Sequence, residues 1–117
     1  MIILDFGKLL HSLGGDRGAL RKLARMFLED YTRQLEVMRE ALNRGDTRAL
    51  EHVAHRFKGT AAYFAADSTF AAAARLEAIA RSRDLAGADA ACAELEREIL
   101  QLGRALSVLD QEPKPVS

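Results

Sequence analysis

The chain has 117 residues, enough for one domain with a single modest core. Hydrophobic residues make up 49% and charged residues 29%, and 17 basic side chains balance 17 acidic ones. That zero net charge argues against nucleic acid or an anionic membrane as the main partner, and the one cysteine, Cys92, excludes an internal disulfide or a cysteine-based metal site. A single cysteine fits a reduced compartment. The start, Met1-Ile2-Ile3-Leu4-Asp5, has neither the basic nor the long apolar region of a signal peptide. No apolar stretch approaches the roughly 20 residues of a membrane span. The expectation is a cytoplasmic protein with no membrane insertion.

Alanine, leucine, arginine and glutamate dominate, no segment alternates like a strand, and Pro113 and Pro115 both fall at the very end. Asp5 is positioned to cap a short first helix that Gly14-Gly15 ends near Leu13. Asp16 caps a long second helix to about Asn43, in which Leu20, Leu23, Phe27, Tyr31, Leu35, Met38 and Leu42 form one stripe. Asn43-Arg44-Gly45 closes it. Asp46 opens a third helix to about Ala66. A fourth starts at Asp67 or Ser68, carries Phe70, Ala73, Ala74, Leu76, Glu77 and Ile79, and breaks at Ser82-Arg83-Asp84. A fifth runs from about Leu85 to Leu109, with Leu95, Ile99, Leu102 and Leu106 in register. The sum is an all-α fold: an antiparallel up-and-down four-helix bundle with a short additional N-terminal helix. Residues 1–109 form the domain and 110–117 a flexible polar tail.

The third helix is where chemistry can sit. On a wheel of about 100° per residue, Leu50, Val53, Ala54, Phe57, Ala61 and Phe64 fall within roughly 60° of one direction, the core face. His55 lies about 160° away and points to solvent, among Arg48, Glu51, His52, Lys58, Gly59 and Ala62. A mid-helix glycine costs about 1 kcal/mol relative to alanine, and outer faces normally carry long polar chains. Gly59 and Ala62 therefore leave a low surface around His55, open to something bulky. Lys58, three residues on, can bring an ammonium near charge acquired by the imidazole. An exposed imidazole that titrates near neutrality, with clear approach and a nearby cation, suits phosphoryl transfer.

The segment Ala54-His55-Arg56-Phe57-Lys58-Gly59-Thr60-Ala61-Ala62 resembles the signature of histidine-containing phosphotransfer (HPt) domains, A-H-x-L-K-G-[SA]-[AS]. The flanks are similar too: Leu9 to Asp16, Phe27-Leu28-Glu29-Asp30, Ala41 to Asp46, and Leu76-Glu77 with Ala80-Arg81, covering roughly residues 4–107. Phe57 stands for the usual leucine, Thr60 for serine, and Ala65 for a frequent glycine. The resemblance implies that His55 is the phosphoacceptor, that Lys58 assists electrostatically and that Gly59 gives steric clearance. It also implies a relay in which His55 takes phosphate from one receiver-domain aspartate and passes it to another. Response-regulator receiver domains and a hybrid sensor histidine kinase are the implied partners, with Mg²⁺ on the receiver and no cofactor on this chain. No glycine-rich phosphate loop or nucleotide motif is present, so a carrier rather than a kinase is expected. The chain is expected to be monomeric, because the helix bearing His55 must stay uncovered.

Other readings of these residues are plainer. Glu51, His52 and His55 do not make a di-metal site without a matching set on another helix, so no metal is expected. His52, Glu51, Ala62 and Met26, the last off the main stripe of its helix, are candidates for partner contact, though an ordinary surface position is the plainer reading of both His52 and Met26. His11 suits a helix end. Two rival functions are a histidine-bearing domain of a chemotaxis-type kinase and a helical adaptor that binds receivers without carrying phosphate.

Overall fold

The computed structural model describes residues 8, 9, 11 and 13–111, the last three by backbone alone. The expected Asp5 cap and residues 112–117 of the expected tail lie outside the described residues. Four long helices follow in order: α1 (Arg17–Arg44), α2 (Thr47–Tyr63), α3 (Asp67–Ser82) and α4 (Ala88–Gln111). Lys8, Leu9 and His11 are helical ahead of them, and Leu9 is buried. No strand occurs among the described residues.

Two aspartates start helices as their positions predict. The Asp16 and Asp46 side chains each accept from a backbone N–H three residues on, at 3.0 Å, satisfying donors that no helical carbonyl reaches. Gly45 then ends α1 in the left-handed region, φ 66°, with its N–H and that of Asp46 returning to the carbonyls of Leu42 and Ala41. Helix α4 runs on to Gln111, so residues 110 and 111 of the expected tail are helical, and two other boundaries differ from expectation by three residues. The site-bearing helix α2 stops at Tyr63 rather than Ala66, because Ala65 turns left-handed (φ 52°) and the Ala66 N–H closes on the Ala61 carbonyl. Helix α4 starts at Ala88 rather than Leu85, because Gly87 is also left-handed (φ 81°) and the Asp84 carboxylate holds the Ala86 N–H.

Cross-helix pairs show the antiparallel order: Glu51 meets Arg81 while His55 meets Glu77, so numbers rise on α2 as they fall on α3. The same holds for α1 and α4, where Arg39 pairs with Glu96 and Gly103 lies against the Tyr31 ring. Each helix packs on two neighbours, α1 on α2 and α4, α3 on α2 and α4. The main core comprises Leu35, Met38, Leu50, Val53, Phe57, Leu76, Leu95 and Ile99, with small residues such as Ala73, Ala80 and Ala91 allowing close approach. Cys92 is fully buried within it, and burial pushes its thiol up to about 11.

Helices α1 and α4, of 28 and 24 residues, outrun α2 and α3, of 17 and 16. A second core fills that longer end, from Leu9, Leu20, Ala24, Phe64, Leu102 and Leu106. The molecule is accordingly elongated, 54 × 22 × 21 Å. The core face expected for α2 is buried throughout, including Phe57 at the usual leucine position. Phe70 on α3 is substantially exposed. Among the described residues no helix is long and apolar enough to cross a membrane.

Candidate functional site

Helix α2 presents His55 on the face opposite Leu50, Val53 and Phe57, and its side chain is 66% exposed. The ring is nevertheless held. Across the seam, α3 supplies Glu77, a carboxylate only 5% exposed. Its Oε2 lies 2.6 Å from His55 Nδ1, and its Oε1 accepts from Lys58 Nζ at 2.5 Å. His55 and Lys58, three residues apart on one helix, thus grip the two oxygens of one carboxylate on the next.

The electrostatics fix the direction of the histidine bond. The Lys58 ammonium holds the Glu77 carboxyl below its usual range; burial opposes this, and the His55 contact lowers it further. An ionised carboxylate only accepts, so Nδ1 carries the hydrogen and donates it. In the neutral ring the lone pair then lies on Nε2, which points away from Glu77 towards solvent. The arrangement yields an exposed nitrogen nucleophile in one tautomer and one ring orientation.

Gly59 follows one turn after His55. A Cβ built there meets nothing within 4 Å, so the glycine relieves no internal crowding. Its effect is outward, keeping the surface beside His55 low. Ala62 extends that low surface and is exposed. On the α1 side a groove of about 370 Å³ opens next to Gly59, walled by Phe27, Tyr31 and Tyr63. Phe27 and Tyr31 stack at 5.1 Å, and both stay half-buried because they line this open groove. Met26, 55% exposed, stands on the edge of this groove.

The structure therefore joins His55 and Lys58 through Glu77, and places Met26 and Gly59 on the lining of one groove. Glu51 does not face His55 freely: its Oε2 accepts from Arg81 Nε at 3.0 Å. His52 is exposed one turn before His55. Glu77 is the residue that sequence reasoning missed. It sits in register with the buried Ala73, Leu76 and Ala80, and a charge at a core position was the available signal. Among the described residues no group of three or more His, Cys, Asp or Glu side chains is placed to hold a metal ion.

The Hpt domain family model matches residues 22–105, which span all of this site. The chain belongs to the Hpt domain family. The Hpt role is phosphotransfer through a histidine in two-component systems. Among solved structures, this Hpt domain is similar to histidine-containing phosphotransfer protein B (HptB) from Pseudomonas aeruginosa PAO1. The two share 29% identity and a TM-score of 0.84, over 95% of this chain and 96% of that one. No curated protein matches the chain.

Proposed function

We propose that this Hpt domain is a phosphorelay intermediate and that His55 is its phosphoacceptor. The observation that carries this reading is the exposed imidazole whose Nδ1–H is tied to a buried, ionised carboxylate, leaving Nε2 bare. In the forward step the Nε2 lone pair forms the N–P bond as the acyl-phosphate O–P bond of a receiver aspartyl phosphate breaks. The aspartate leaves with that electron pair, and Nδ1 keeps its proton against Glu77. The return step, to a second receiver, is the reverse. Lys58 keeps Glu77 ionised and in place, and so supports His55 through the carboxylate. Gly59 and Ala62 admit the receiver's active-site rim, with Met26, Glu51 and His52 around the contact.

The chain acts as a carrier without a nucleotide site of its own, and the receiver brings the Mg²⁺ that neutralises the moving phosphoryl group. A hybrid sensor kinase upstream, a response regulator downstream, a monomeric state and a cytoplasmic location complete the reading. The test is incubation of the purified chain with a receiver domain carrying labelled phosphate. The expected result is an acid-labile, base-stable label, lost in His55→Ala and kept in His52→Ala. Label that persists in His55→Ala overturns the assignment.

A further inference from the structure

Gly103 lies inside α4, and its surroundings are the reverse of those at Gly59. It is buried and faces the edge of the Tyr31 ring on α1. A Cβ built there stands 3.1 Å from Cζ of the ring and 3.3 Å from its hydroxyl oxygen. Non-bonded carbons rest about 3.5–4.0 Å apart, so even one methyl makes the ring give way. Glycine inside a helix costs about 1 kcal/mol relative to alanine. What the missing methyl secures is the seat of the Tyr31 ring.

That ring is a wall of the groove that Gly59 also lines. Phe27 stacks on one face of it at 5.1 Å, and Phe27 in turn meets Phe64 edge-on at 6.2 Å. Aromatic neighbours close the ring in on that side and α4 closes its tip, which leaves the groove as the free direction. A side chain at position 103 therefore drives the ring into the groove. A receiver that brings its aspartyl phosphate to Nε2 covers the surface around His55, and Gly59 belongs both to that surface and to the groove. The groove is lined largely by apolar side chains, among them Leu23, Phe27, Phe57 and Phe64, so the occupant it fits is an apolar patch on the receiver. We infer, resting on the relay reading, that Gly103 is a positioning residue for the receiver. It acts through Tyr31, seating the ring against α4 so that the groove stays deep enough to admit that patch. Its effect falls on receiver binding and leaves the chemistry at Nε2 alone.

The experiment titrates the full chain with a receiver domain, reading Kd by calorimetry and the rate of His55 labelling at saturating receiver. Gly103→Ala should raise Kd about threefold and Gly103→Val about tenfold, with the saturated rate held. In a Tyr31→Ala background, Gly103→Val should change Kd by less than about twofold, because no ring is left to displace. A crystal structure of Gly103→Val, which needs no receiver, should show the Tyr31 ring moved into the groove. A ring in its wild-type place overturns the inference, and so do equal Kd values across wild type, Gly103→Ala and Gly103→Val. A loss of binding that persists without the Tyr31 ring also overturns it, since Gly103 then acts by another route. A wild-type chain that binds no receiver overturns it together with the relay reading. A chain that binds and follows this series, yet takes no label, sinks the relay reading alone.

Discussion

Two glutamates in this bundle each tie neighbouring helices together, and they do different work. Glu96 on α4 takes a forked contact from Arg39 on α1, with Nε at 3.0 Å, and the two side chains are 33% and 44% exposed. Water competes for both, and such pairs contribute about 0–1 kcal/mol. Glu77 is buried, and its two oxygens are claimed from α2 by a lysine and by the imidazole. A buried carboxylate is a poor way to stabilise a helix seam, because desolvation offsets most of the attraction. An apolar side chain fits the Ala73–Leu76–Ala80 stripe at least as well. What Glu77 adds is a defined tautomer on His55, and the comparison separates scaffold from chemistry.

The largest expected effect tests that separation directly. Glu77→Ala leaves the Lys58 ammonium without its acceptor and should cost about 2 kcal/mol in denaturant unfolding. It should also slow receiver-dependent labelling of His55 by about tenfold to a hundredfold, the scale expected when the group orienting a reacting side chain is removed. Glu96→Ala should cost less than about 1 kcal/mol and label at the wild-type rate. Equal slowing in both variants would break the distinction.

Acid sharpens it next. The Glu77 carboxyl is held below its ordinary value of 4.5, chiefly by Lys58. A depressed folded-state value means stability that is fully present above that pH and lost as pH falls through the lowered value. The stability gap between wild type and Glu77→Gln should therefore be flat above about pH 4.5. Below it the gap should close, at no more than about 1.4 kcal/mol per pH unit for one proton. Urea midpoints taken every half unit check this, and a gap that widens in acid contradicts the lowered value.

The exposed side of the site was legible in the sequence for a simple reason. Exposure of His55 and burial of Leu50, Val53 and Phe57 follow from helical periodicity alone, and Asp16 and Asp46 announce their helices by local hydrogen bonding. Glu77 was not legible as a partner, because its meeting with His55 depends on the register of α3 against α2, which no local pattern encodes. The Glu51–Arg81 pair was hidden for the same reason. The misplaced end of α2 has a different cause: Ala65 has strong helix propensity yet adopts a left-handed conformation set by the closing Ala66–Ala61 bond.

That left-handed alanine gives the smallest expected effect, and the one that isolates backbone from site. Ala65 ends the helix bearing His55, and Arg83 ends the helix bearing Glu77; their φ values are 52° and 64°. A non-glycine residue there costs about 1–2 kcal/mol, and glycine offsets this by about 0.5–1 kcal/mol of extra unfolded-state entropy. Both glycine variants should therefore be more stable, by about 0.5 kcal/mol. The gain should be smaller for Ala65→Gly, since Ala65 packs against the second core and loses a partly buried methyl, whereas Arg83 is exposed. Thermal melts rank the pair, and labelling of His55 should match wild type in both. If Ala65→Gly alone slows labelling, the turn after Tyr63 is part of what positions His55, and the division between scaffold and chemistry shifts one helix end further into the fold.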